Sequence, residues 1–321
     1  MQNKIAYTFG GLPRATFCVP LSLCVVAGLM FWPCTNEARA DRRSCAGFEQ
    51  RYAQTKLSAG SVERNILLFS AAGKNCLPLA KLLLDDGASL EARDRLGNMP
   101  LAIAARSGHE SIANLFLDHK APINARNLEG STALFLAAEA ERTAIAKILV
   151  ERGADPNLEG RTAISPLGAA AYSGNPELVT LLLAHGAQPN RVDATGKTPI
   201  IYAAGRGYTP VVRHLLDAGV DVNLAYGNNL TALIWAAGHS DEAGSTDVLE
   251  TLSLLIAKGA HLDAVDDRGR TALMTSCELG HTSAVAALLK AGAKTGITDK
   301  TGKRATDLAA NDEIRNLLEQ H

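Results

Sequence analysis

An all-α solenoid of stacked helix–turn–helix units is the fold this sequence predicts, and two observations predict it. The first is a period. Asp193 to Ala225 is a 33-residue stretch, DATGKTPIIYAAGRGYTPVVRHLLDAGVDVNLA. Aligned on its Pro199, the same pattern returns at Leu67, Pro100, Ala133, Pro166, Ala232, Ala272 and Ala305, in steps of 33 residues except for one of 40 between Ala232 and Ala272. Spacing this constant marks a repeat architecture, in which each unit packs only on its neighbours. The second observation is composition: 47% of the residues are hydrophobic but only 5% aromatic, so alanine and leucine must fill thin layers between paired helices. At 321 residues a single core would be near its size limit, which a stack escapes.

The first 40 residues are a different material. Lys4 and Arg14 are the only charges before Ala15, and Ala15 to Phe31 is a 17-residue apolar run. Pro33 follows, then Ala38-Arg39-Ala40, with small residues at −3 and −1 before Asp41. This is the pattern of a secretory leader cleaved after Ala40. An uncleaved anchor is the competing reading, but the run is at the short end for spanning a bilayer. Cleavage removes 3 of the 32 basic and 1 of the 33 acidic residues, leaving 29 − 32 = −3. That balance argues against nucleic acid as a partner, which would require a basic stripe. Export also frames the cysteines. Cys45, Cys76 and Cys277 remain after cleavage; Cys45 and Cys76 both fall at the N-terminal end of the stack, where they form a disulfide or stay as two free thiols.

Residues 41–61 carry Phe48, Tyr52 and Leu57 at roughly helical spacing, which predicts an amphipathic helix covering the open face of the first unit. The repeat domain then spans 62–321, about eight units, with degenerate first and last units. In the reference unit Thr198-Pro199 suits a helix N-terminus, the hydroxyl placed to cap and the proline needing no donor. An alanine pair (Ala203-Ala204 in the reference unit) lets helices approach closely, and glycines such as Gly207 and Gly219 end the helices in the left-handed conformation. The seven extra residues follow Gly238 and predict a longer second helix through Val248, Leu249 and Leu252, capped by Ser245 or Thr246. The last unit predicts a polar-faced helix from Glu313 to Gln320.

Gly196-Lys197-Thr198-Pro199, Ala203-Ala204, Gly219-Val220-Asp221-Val222-Asn223 and Gly153-Ala154-Asp155-Pro156-Asn157 resemble the ankyrin-repeat pattern, which covers about residues 62 to 321. The chain is similar to secreted or periplasmic bacterial members of that family. It departs from the pattern in lacking the His that usually follows Thr-Pro-Leu, so the inter-repeat hydrogen bonds of that side chain are not expected. Lys120 and Glu141 stand where a helix-ending Gly is usual, and Asn229 for a turn Gly.

No phosphate-binding Gly loop, His-Glu-x-x-His, Gly-x-Ser-x-Gly or paired Cys-x-x-Cys occurs, so no catalytic residue, cofactor or metal is expected. The eight histidines are scattered. The resemblance instead implies a concave binding face. Its helix ends would supply Lys74, Arg106, Glu139, Tyr172, Arg206, His239 and Glu278. Its hairpin tips would supply Arg95, Lys197 and Arg268, with Asn98, Glu129, Arg161, Asn228 and Arg270 beside them. Trp235 reads as a packing residue. The expected function is a non-enzymatic protein-interaction scaffold of the cell envelope, periplasmic or secreted and monomeric, with a protein partner and no membrane contact after cleavage. An immunity-type inhibitor of a secreted toxin is the alternative.

Overall fold

The computed structural model describes residues 45–238 and 245–321. Residues 1–44, where the leader and its cleavage after Ala40 are expected, and the stretch 239–244, with His239, lie outside the described residues. Among the described residues the architecture is all-α. A first helix α1 (Cys45–Thr55) precedes seven pairs: α2 (Ser61–Lys74) with α3 (Leu77–Asp85), α4 (Pro100–Ser107) with α5 (Glu110–Asp118), α6 (Ala133–Glu139) with α7 (Thr143–Glu151), α8 (Pro166–Ser173) with α9 (Pro176–Ala184), α10 (Pro199–Gly205) with α11 (Thr209–Asp217), α12 (Ala232–Gly238) with α13 (Ser245–Ala257), and α14 (Ala272–Leu279) with α15 (Thr282–Lys290). A last helix, α16 (Asp312–Glu319), closes the stack. The connecting hairpins are turns; the one β-bridge among the described residues pairs Tyr226 with Leu230.

First helices pack on first helices and second on second, and the alanine pairs explain how. Ala71-Ala72, Ala104-Ala105, Ala137-Ala138, Ala170-Ala171, Ala203-Ala204 and Ala236-Ala237 are all 0% exposed. Short side chains there let each helix contact its partner and the next unit together. Ser276-Cys277 fill the same row in the seventh pair, and burial pushes the Cys277 thiol up to about 12.

Capping follows the expected rule with one correction. Thr132, Ser165, Thr231 and Thr271 accept the amide three residues on, at 3.2, 3.0, 3.3 and 3.2 Å. Thr198 makes no side-chain cap bond; the Ile201 amide is taken by the Thr198 carbonyl at 3.1 Å. Lys120, Glu141 and Asn229 adopt φ of 65°, 58° and 60° in their glycine-type positions. Ala163 does the same at 58° in the position of the turn glycine, after Thr162 at 53°, an irregularity the sequence reading passes over. Each costs on the order of 1 kcal/mol, less for Asn.

Inter-repeat ties come from an unexpected row. In four of the pairs the residue just before the second helix reaches back to the preceding unit: His109 Nε2 to the Gly73 carbonyl at 3.3 Å, Arg142 Nε to the Arg106 carbonyl at 3.4 Å, Asn175 Nδ2 to Thr143 Oγ1 at 3.0 Å and His281 Nδ1 to the Ala237 carbonyl at 2.8 Å. The Asn of the helix-ending tail adds a second row. Asn157 Oδ1 accepts the Gln188 amide at 2.8 Å while its Nδ2 donates to the Gly186 carbonyl at 3.0 Å, and Asn223 repeats both bonds to His261 and Gly259. The loss of the usual His is thus offset elsewhere.

The ends differ from the body. At the N-terminus Tyr52 is buried and its hydroxyl donates to Asp86 at 2.7 Å. Leu57, expected on the apolar face of the cap, lies beyond the end of α1 and is 105% exposed. A disulfide joins Cys45 to Cys76 with Cα atoms 5.3 Å apart across a sequence separation of 31; closing such a loop contributes roughly 3–4 kcal/mol in the chain-entropy account. At the C-terminus the first helix of the last unit shrinks to a 3₁₀ turn, Thr306–Leu308. The last helix starts at Asp312 rather than Glu313, because Asn311 caps it through the Ile314 amide at 2.9 Å. The long step is taken up partly in α13, which has 13 residues against 9 in α15; its capping residue lies outside the described residues.

Candidate functional site

The hairpins set the site, and an acid or amide sets most of the hairpins. Asp94, Asn127, Asp193, Asp266 and Asp299 occupy one position of the repeat, and each side-chain oxygen accepts two backbone amides of its own turn. At Asp193 these are Thr195 at 2.7 Å and Lys197 at 3.0 Å; at Asp266 they are Arg268 at 2.8 Å and Arg270 at 2.9 Å. The Thr301 hydroxyl first, with the amides of Lys303 and Thr301, pulls the Asp299 carboxyl down to about 2 against the cost of burial. Burial raises the Asp193 carboxyl, but bonds from Tyr202, the Lys197 amide and Thr195 outweigh it and hold it below the usual range. Two hairpins lack this bracket. One has Gly160, where a Cβ would lie 2.4 Å from the Phe135 ring; the other has Tyr226, itself buried.

Between and beside these two irregular hairpins lies an aromatic and cationic cluster. Tyr172 on α8 and Tyr202 on α10 meet edge to face at 5.6 Å, and the Tyr202 hydroxyl donates to Asp193. The Arg206 guanidinium lies 4.1 Å from the Tyr172 ring centroid, and its Nη2 donates to the Tyr172 hydroxyl at 3.0 Å. Lys197 Nζ sits 5.7 Å from the Tyr202 ring and 5.1 Å from the Trp235 ring. Three of the expected site residues, Tyr172, Lys197 and Arg206, therefore converge. Tyr202, which the repeat pattern does not single out, and Trp235, expected as a packing residue, join them; Trp235 is only partly buried, its ring taking the space beside Gly205.

The remaining expected residues fall elsewhere along the same side. Arg106 and Glu139 line a cavity of about 400 Å³ with Leu96, Glu129, Leu136 and Arg161, and Arg161 pairs with Glu139 at 2.6 Å. Arg95 is exposed at the tip beside Leu96. Arg268 is held by Asp266 at 2.8 Å, and Glu278 by Arg270, which also reaches Asp299 at 3.4 Å. Asn98, expected at a tip, is buried and donates to Asp94 at 3.0 Å. Arg206 follows Gly205, the residue one repeat after Tyr172; the two side chains meet because Arg206 reaches back one unit, not because they share a register. No group of three His, Cys, Asp or Glu among the described residues is placed to hold a metal ion. No described helix is long and apolar enough to cross a membrane.

A helical-repeat stack presenting side chains from hairpins and helix ends is an interaction scaffold by construction. The family description "Ankyrin repeats (3 copies)" matches residues 67–160, 167–253 and 242–320, and the chain belongs to that family. Among solved structures, the crystal structure of the ankyrin repeat domain of Bcl-3, a unique member of the IkappaB protein family, is similar at a TM-score of 0.60. The likeness covers 70% of this chain and 99% of that one at 22% identity, and at that identity it speaks to the fold alone. No curated protein matches.

Proposed function

We propose that the chain is a non-enzymatic scaffold of the cell envelope that binds a protein partner through the face between its hairpin tips and first helices. The observation that carries this reading is the cluster of Tyr172, Tyr202, Trp235, Lys197 and Arg206, built from three successive units. Aromatic rings and arginine are the side chains that dominate protein interfaces, and a surface extending over several repeats can bury a standard interface of roughly 1,600 Å². The envelope location rests on the leader pattern ending at Ala40 and on the Cys45–Cys76 pairing, which suits an oxidising compartment. Affinity purification of the full chain from the exported fraction supplies the partner. The double reversal Arg106→Glu with Arg206→Glu is then expected to weaken its binding at least tenfold with the melting temperature unchanged. Undiminished binding contradicts the assignment of the face. A housekeeping envelope protein supports the scaffold reading; a secreted toxin converts it into the inhibitor reading.

A further inference from the structure

We propose that the cluster around Lys197 and Arg206 is a carboxylate-recognition site, taking an Asp or Glu side chain of the partner flanked by neutral or apolar residues. This rests on the preceding reading of the face and adds the partner's chemistry to it.

Three basic residues along the hairpins are neutralised within the chain. Arg161 holds Glu139 at 2.6 Å, Arg268 holds Asp266 at 2.8 Å, and Arg270 is shared between Glu278 and Asp299. Lys197 and Arg206 differ from these three: among the described residues neither has a carboxylate within 4.0 Å, and both lie against aromatic rings, Arg206 with hydrogen bonds to Tyr172 and Tyr208 besides. The one acid nearby does not serve them. Asp193 is 8% exposed, and its oxygens are occupied by the Tyr202 and Thr195 hydroxyls and by two backbone amides.

Stacking also orients the donors. A guanidinium lying on a ring spends its face on the ring and keeps its N–H groups in its own plane, where a carboxylate can accept two of them. The Tyr172 hydroxyl accepts from Nη2 at 3.0 Å, and Tyr208 is a second hydrogen-bond partner of the guanidinium; together they fix that plane, and the N–H groups beyond these two remain for a ligand. Tyr172 is 50% exposed and provides apolar surface beside the charge. The overall charge of −1 disfavours a long polyanion. One or two carboxylates within an otherwise uncharged segment fit the site; an acidic tract or a nucleic acid does not.

The test uses the full chain and matched synthetic peptides: one series with a single Asp or Glu between apolar residues, a second with Asn or Gln in its place, and polyglutamate as the polyanion control. Binding is read at low salt by fluorescence anisotropy of labelled peptides. The acidic series is expected to bind at least tenfold more tightly than its amide counterparts. Lys197→Gln with Arg206→Gln should abolish that preference while the circular-dichroism melt stays unchanged. Equal binding of both series, binding of neither, tighter binding of polyglutamate, or a preference that survives the double variant overturns the carboxylate assignment. If the assignment fails while Arg106→Glu with Arg206→Glu still releases the native partner, the interaction face stands and only the carboxylate chemistry falls.

Discussion

Five hairpins of this stack are braced by an Asp or Asn that accepts two amides of its own turn, and two are not. The contrast shows what the repeat requires and what it tolerates. At Asp94 the bracket is two bonds of 2.8 Å to the amides of Leu96 and Asn98; at Gly160 the same space is filled by the Phe135 ring of the preceding unit, and the turn carries two residues at positive φ instead. At the other exception Tyr226 is buried and forms the bridge with Leu230. An internal hydrogen-bonded brace and an aromatic ring borrowed from packing are thus alternative ways to hold one loop. The irregular pair flanks the hairpin of Asp193, whose brace also holds Tyr202. The functional candidates cluster where the standard brace has been replaced or extended by aromatic side chains.

The largest effect should come from the borrowed ring. Phe135→Ala removes a fully buried aromatic and is expected to cost about 3–5 kcal/mol. Gly160→Asp, which offers the standard brace, should itself destabilise by about 1–3 kcal/mol because its side chain meets the ring. Combined, the two substitutions should cost less than their sum by about 1–3 kcal/mol, measured by denaturant titration; strict additivity would show that ring and brace do not compete for one space. Next in size, Asp193→Ala strands the Tyr202 hydroxyl and two amides and is expected to cost about 2–3 kcal/mol. Faster amide exchange at Thr195 and Lys197 is the accompanying sign, and unaltered exchange there would remove the brace from the account. The smallest and most distributed effect is on pH. The carboxyls of Asp299, Asp193 and Asp86 lie below their ordinary value of 3.8 in the folded chain. Their contribution is therefore fully present above about pH 4 and is lost as pH falls toward 2. Melts at pH 5 and 3 should differ in that direction, and Asp299→Asn should reduce the difference.

The fold was legible because a 33-residue period reports which positions face the neighbouring unit, and burial then follows from position. The alanine rows and Lys120, Glu141 and Asn229 at positive φ fell where the alignment put them; Asn75, Thr162 and Ala163, also at positive φ, did not follow from it. The site was legible only in part, because a period locates a Cα and says nothing about how far a side chain reaches. Arg206 is out of register with Tyr172, yet it arrives on that ring because its side chain reaches back to the preceding unit. Trp235 occupies a packing row, but the absence of a side chain at Gly205 lets its ring lie along the surface under Lys197. Arg268 and Glu278 read as available charges, and the folded chain spends both on internal pairs. The turn acids are not legible from the turn glycines, which account for the backbone angle but not for what satisfies the amides.

The most direct test of the central claim, that the partner docks on the hairpin side, is hydrogen–deuterium exchange of the full chain with and without its purified partner. Protection is expected to centre on the hairpins around Arg161 and Lys197 and on the ends of α8 and α10, with the second helices α9 and α11 unchanged. Protection confined to α9 and α11 would contradict it.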